Sequence, residues 1–161
     1  MKNIFLLMIL CFPILLTSCK DDFGTFYEDN RPAVPVTFPG TTTYGFNPYI
    51  TKSVKDSTSA IEFTLSIPES SGRTIKEITR VSAGSSSINA GSVATATYIA
   101  QPIAGNGTSV KFTTTLVEFK SKSAANARLV TANGEIAFMF LVTLDNGETI
   151  IPVQVRVRLT A

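Results

Sequence analysis

The chain has 161 residues, with 14 Lys and Arg against 12 Asp and Glu, two Cys and no His. Its length suits a single domain, and its nearly balanced charge does not favour nucleic acid as a partner. Without histidine, Ser-His-Asp and Cys-His catalysis are excluded, as are zinc sites of the Cys/His kind. We therefore predict no metal site and no cofactor.

The first 18 residues have the pattern of a secretory signal peptide. A short basic start, Met1-Lys2-Asn3, is followed by an apolar stretch from Ile4 to Leu16. This stretch falls within the roughly 7–15 residues of a signal-peptide core and below the about 20 residues that a membrane-spanning helix needs. Small residues and then a cysteine follow it, in the order Thr17-Ser18-Cys19.

A family resemblance lies in the junction Leu16-Thr17-Ser18-Cys19-Lys20-Asp21-Asp22. Leu-Thr-Ser-Cys resembles the lipobox of bacterial lipoproteins, in which the cysteine sulfur receives a diacylglycerol and becomes the first residue after cleavage. Lys-Asp-Asp resembles the acidic export signal of surface-exposed lipoproteins of the Bacteroidota. The resemblance implies removal of residues 1–18, lipid attachment at Cys19, and a surface-exposed place at the outer membrane, held there by the anchor.

The next segment, residues 19–32, is polar and acidic, which predicts a flexible tether. It carries Phe23, Phe26 and Tyr27, so docking of these aromatics on the domain or on a neighbouring protein stays open. The other cysteine, Cys11, lies within the signal peptide. If the signal peptide is removed and Cys19 carries the lipid, no thiol remains for a disulfide or for catalysis in a domain at residues 33–161.

From residue 33 onward the pattern is that of β-strands. Apolar and polar residues alternate at 33–38, 61–67, 110–117 and 153–160, the period of half-buried strands, and 93–100 is a weaker candidate. Residues 136–144 are apolar at both parities, which predicts a strand covered on both sides. The apolar residues Ile75, Ile78 and Val81 do not share one parity, which predicts a strand with a bulge.

Turn signals separate these strands. Gly105-Asn106-Gly107 and Asp145-Asn146-Gly147 favour tight turns, and residues 121–133 are expected to form a loop or one short helical turn. About seven strands without a long amphipathic helix predict an all-β domain, an antiparallel immunoglobulin-like β-sandwich, with barrels and jelly rolls left open. The valine-rich end is similar to that of small β-rich lipoprotein domains of the Bacteroidota, a resemblance that implies no catalytic residue.

Three aromatic residues, Tyr44, Phe46 and Tyr49, fall within six positions beside Gly45 and Pro48. Such a turn is a candidate ligand-binding site, either a stacking platform for a sugar ring or an edge for a partner protein. The alternative is that the rings close one end of the sandwich. That alternative is favoured because carbohydrate platforms lean on Trp, which this chain lacks.

Other candidate sites are weaker. Asp56-Ser57-Thr58 resembles the short O-glycosylation sequon of exported Bacteroidota proteins, which implies Ser57 as a modified residue. Arg156 and Arg158 share one strand face and, with Lys111 on a neighbouring strand, form either a site for an anionic partner or a solvated face.

The predicted function is a non-enzymatic, lipid-anchored binding or structural module whose partner is an unknown envelope protein or a glycan. The alternative is a carbohydrate-binding domain of a surface glycan-uptake system. An enzyme with paired carboxylates, such as a glycoside hydrolase, is the least favoured interpretation, because the Glu residues occur singly along the chain.

Overall fold

The computed structural model describes residues 32–43 and 47–161. Within it, Val34–Ala161 forms one compact unit. The predictions for the signal peptide, for Cys19, for most of the tether and for Tyr44 and Phe46 lie outside the described residues.

The described chain is all-β with two short helices. Its strands are β1 (Tyr49–Ser53), β2 (Ile61–Ser66), β3 (Ile75–Ser85), β4 (Ile103–Ala104), β5 (Ser109–Thr114), β6 (Glu135–Leu144), β7 (Thr149–Ile150) and β8 (Val155–Thr160). The helices are α1 (Leu116–Ser121) and α2 (Ala124–Leu129). Among the residues described, no helix has both the length and the hydropathy needed to cross a membrane.

Six strands form a mixed sheet in the order β1-β8-β6-β3-β4, and β7 also pairs with β6. β1 runs parallel to β8, whereas the other pairs of this sheet are antiparallel. β2 and β5 form a second, antiparallel sheet. The all-β prediction is therefore confirmed. The parallel pair and the count of eight strands leave the antiparallel seven-strand sandwich unconfirmed.

The two sheets meet across an aromatic core. Phe138 of β6 lies at its centre, with ring centroids 5.8 Å from Phe63 of β2 and 5.6 Å from Phe112 of β5. Tyr98 and Phe119 stand 5.7 and 5.8 Å from the same ring. Burial of these rings against one another is the main source of stability in this domain, because residues 33–161 contain no cysteine and therefore no disulfide.

The expected bulge in β3 is confirmed. The pairing of β3 with β6 shifts register between Ile75 and Glu77 and again between Ile78 and Arg80. Each extra residue restores an apolar side chain to the core face, so Ile75, Ile78 and Val81 are all buried despite their mixed parity.

β6 is covered on both faces, as its composition predicts. Ile136, Phe138 and Phe140 belong to the main core, and Ala137 and Met139 on the opposite face are also buried. The loop after β3 returns over that second face. Its Ser92 hydroxyl lies 3.2 Å from the Ser82 hydroxyl, and the Ala96 carbonyl accepts a hydrogen bond from Arg80 at 3.2 Å.

Several strand boundaries differ from the predictions. Residues 93–100 form turns, and 33–38 contributes only a single bridge between Thr37 and Ser66. Val153 is exposed because β8 begins at Val155. The chain leaves β5 after Thr114, since the Thr115 hydroxyl accepts a hydrogen bond from the Glu118 amide at 3.0 Å and starts α1.

Candidate functional site

A groove of about 260 Å³ lies along the outer edge of β3. β4 pairs only with Glu77 and Ile78, so within the described chain no strand pairs with this outer edge of β3 from Arg80 onward. One wall is the loop with Ser92 and residues 96–98, and the other is the junction of α1 and α2 with Lys122, Ser123 and Asn126. We call this feature the β3 groove.

Local hydrogen bonds hold both walls. Asn89 accepts from the Ser92 amide at 3.2 Å, which closes a tight turn and presents the Ser92 hydroxyl to Ser82. On the other side, the Ser123 hydroxyl caps α2 by accepting from the Asn126 amide at 3.0 Å. The buried Asn126 side chain donates to the Phe119 carbonyl at 3.3 Å and ties the two helices together.

A chain of hydrogen bonds runs beneath the groove. The Thr114 hydroxyl donates to Glu118 Oε2 at 3.0 Å and lies 2.6 Å from the Tyr98 hydroxyl. Since a threonine hydroxyl has only one proton to give, Tyr98 donates to Thr114. Lys122 Nζ completes the set, 3.2 Å from Glu118 Oε1 and 4.9 Å from the centre of the Tyr98 ring.

Burial raises the pKa of Tyr98 to about 12. The negative charge of Glu118 adds to the increase, because it disfavours the phenolate. Tyr98 is thus a neutral hydrogen-bond donor at neutral pH. Its ring is almost fully buried, with 6% exposed, so it positions the groove wall and offers no open face to a ligand.

The raised pKa predicts a loss of stability at high pH. Neutral Tyr98 favours the folded state, and this contribution is complete below the ordinary pKa of 10.0 and is lost as the pH rises through about 12. We expect Tyr98→Phe to remove this part of the pH dependence. Urea unfolding of both proteins at stepped pH values between 8 and 12 measures it, and identical alkaline profiles would contradict the assignment.

A second polar cluster occupies the face of the large sheet opposite the core. The Arg158 guanidinium lies over the Tyr49 ring, 3.7 Å from its centre. Glu135 accepts from Arg156 at 2.8 Å and from Arg158 at 3.4 Å. Lys111 does not join the two arginines, because it lies in the other sheet and pairs with Glu62. One face of the Tyr49 ring is therefore occupied by this chain's own cation.

Of the sequence-predicted site residues, the structure describes Tyr49 and Ser57, and neither lines the β3 groove. Tyr49 begins β1, and its backbone exchanges hydrogen bonds of 2.8 and 2.9 Å with Thr42. Ser57 is half-buried in the turn between β1 and β2, and its carbonyl accepts from the Val117 amide at 3.1 Å. No sequence signal pointed to Tyr98, Lys122 or Asn126.

The lining of the groove is mostly polar. Hydroxyl and amide groups alternate there with the small apolar side chains of Val81, Ala83 and Ala96, and among the described lining residues Lys122 alone carries a charge. Among residues 32–43 and 47–161, no three His, Cys, Asp or Glu side chains come together as a metal site would require. Comparison with protein-family models, curated proteins and solved structures gives no significant match.

Proposed function

We propose that this protein is a non-enzymatic lipoprotein of the bacterial outer membrane, whose all-β domain binds an envelope partner in the β3 groove. The observation that carries the binding role is the groove itself, where an open sheet edge lies between two walls of hydroxyl and amide groups. The observation that supports the anchor is the Leu16-Thr17-Ser18-Cys19 junction.

The carboxylates support a binding role over acid–base chemistry. Glu118 is engaged by Lys122 and Thr114, and Glu135 by two arginines. A glycosidase needs two carboxyl groups facing one cleft, one of which gives a proton to the leaving group. Carboxylates held by cations in this way are arranged as structural ion pairs.

A lipidated Cys19 would fix the domain at the membrane. Each buried CH₂ contributes about 0.8 kcal/mol, so one acyl chain binds reversibly and two or more give stable attachment. The resemblance to lipoproteins implies several chains on this cysteine. A diffusing partner would then be captured at the cell surface by a domain that does not leave it.

We expect Cys19→Ala to abolish membrane attachment completely. The full chain is expressed in a Bacteroidota host with labelled palmitate, and the label and the detergent-phase partition are measured. Cys11→Ala is the matched control, because Cys11 lies inside the predicted signal peptide and its loss should leave labelling unchanged. Detergent-phase partition without label at Cys19 would refute the anchor.

The finer fold assignment is also a proposal. A two-stranded sheet facing a larger sheet across one shared core supports an immunoglobulin-like sandwich, modified by the parallel pairing of β1 with β8.

Ser57 is the proposed O-glycosylation position, and its neighbours Asp56 and Thr58 are exposed.

A second candidate function is carbohydrate binding by Tyr44, Phe46 and Tyr49, as part of a surface glycan-uptake system. The pairing of Thr42 with Tyr49 favours it, because that pairing brings together the two ends of the segment in which the three aromatics fall along the sequence. A glycan array probed with the full chain and with the triple alanine variant tests it. Binding that survives the three substitutions would remove this site.

A further inference from the structure

We propose that the β3 groove binds an extended, acidic peptide segment of a partner protein, which adds to the sheet as a strand next to β3. This inference rests on the proposed function, since it names the partner chemistry of that same groove. It is carried by three features of the described residues: the state of the strand edge, the charge around it and the lack of an exposed ring for a sugar.

The edge of β3 is suited to strand addition. β6 occupies one side of residues 80–85, and among the described residues no strand pairs with the other side. An uncovered edge offers backbone donors and acceptors to an incoming chain. Natural sheets commonly block such edges with charges, prolines or bulges. Here both register shifts precede Arg80, and the following Val-Ser-Ala-Gly-Ser has neither charge nor proline.

The open edge sets the length of peptide that can pair with it. Paired strands align residue for residue, so the edge from Arg80 to Ser85 matches about six residues of a peptide. Ser92 and Thr97 on one wall and Ser123 on the other place hydroxyl groups beside that path. Backbone pairing would supply the affinity, and these hydroxyl groups would contact alternate side chains of the peptide.

The charge around the groove favours an acidic segment. Lys122 lines the groove and Arg80 is exposed on the strand at its edge. Glu118, the nearby carboxylate of α1, is engaged by Lys122 and Thr114, and within the described lining no carboxylate faces the opening. One Asp or Glu of the peptide would share Lys122 with Glu118, and another would pair with Arg80, whose guanidinium also donates to the Ala96 carbonyl.

A glycan fits this groove less well than a peptide. Sugar rings are held largely by stacking on exposed aromatic faces, and the one aromatic residue of the lining, Tyr98, is buried and has Lys122 over its ring. The backbone edge, with which no described strand pairs, has in contrast the donor and acceptor spacing of a polypeptide strand. The two occupants are separated by the experiment below.

The test uses the full chain in detergent micelles, an array of random peptides about seven residues long and a glycan array. We expect peptide binding enriched in Asp and Glu, and a loss of at least about tenfold in affinity in Thr97→Trp, whose indole would fill the groove. Thr95→Trp is the matched control because Thr95 is exposed on the same loop outside the lining. Lys122→Gln should weaken the preference for Asp and Glu, leaving only the contribution of Arg80, whereas Lys120→Gln should keep it unchanged.

Amide hydrogen exchange of the bound protein provides the direct measurement. Strand addition should slow exchange at amides within residues 80–85, which lie at the open edge of the free protein. Peptide binding without that protection would overturn strand addition. Glycan binding that Thr97→Trp abolishes, with no peptide bound, would overturn the peptide but keep the groove as the binding site. If Thr97→Trp leaves all binding unchanged, both the inference and the groove's proposed role fail.

Discussion

Replacing Phe138 by alanine is expected to lower the free energy of unfolding by about 3–5 kcal/mol. Phe138 is fully buried and contacts the rings of Phe63, Tyr98, Phe112 and Phe119, so its loss leaves a cavity that four neighbours enclose. Both sheets and α1 border that cavity, which limits how far any one of them can move to fill it. The total free energy of unfolding of a domain of this size is only about 5–15 kcal/mol, so the variant should be close to unfolding.

Urea unfolding followed by far-UV circular dichroism measures the effect. Val117→Ala is the matched control, because Val117 is a large apolar side chain on α1 that is 49% exposed, and its truncation should change stability by less than about 0.5 kcal/mol. A Phe138→Ala variant that loses less than about 1 kcal/mol would show that the aromatic core does not hold the sheets together.

Gly105→Ala is expected to lower the free energy of unfolding by about 3 kcal/mol, the second large effect. A methyl group at this position would overlap the carbonyl oxygen of Ile75, which is backbone and cannot turn away. To avoid this overlap, the backbone at Gly105 must move away from the backbone at Ile75. That movement breaks the 2.8 Å hydrogen bond from the Gly105 amide to the Lys76 carbonyl. The pairing of β3 with β4 should therefore be lost.

Gly107→Ala, two residues away, separates crowding from backbone strain. Its φ of +60° disfavours alanine, but no atom lies within 4 Å of the added carbon, so a loss of about 1 kcal/mol is expected. Thermal unfolding of both variants in the same buffer gives the comparison. Equal losses would show that the backbone near Ile75 moves aside at little cost, and that the close approach does not require glycine at position 105.

Local patterns predicted the parts of the fold that depend on local physics. Alternation located β2, β5 and β8, and mixed parity at Ile75, Ile78 and Val81 indicated the bulged strand. The first helix was missed although its signal was present. Thr115 and Glu118 have the spacing of a capping box, which ends a strand-like run at the residue before the helix.

The candidate site could not be predicted from the sequence, because its parts are far apart along the chain. The β3 groove combines residues 81–83, a loop near residue 97 and a helix junction near residue 123. Each is an ordinary run of small polar residues by itself. Only the pairing of strands places them together, and strand pairing is a non-local choice that composition does not encode. Arg158 contacts Tyr49 and Glu135, and these two contacts could not be predicted for the same reason.

The parallel pairing of β1 with β8 affects how the chain reaches its folded state. β8, which follows the other described strands in chain order, lies between β1 and β6 in the large sheet. Until it emerges, β1 has no neighbour in that sheet, and the contacts that attach it join residues more than a hundred positions apart, such as Ile50 and Val157. Such distant contacts make folding slow. The nascent domain should therefore complete its large sheet only after β8 has been synthesised.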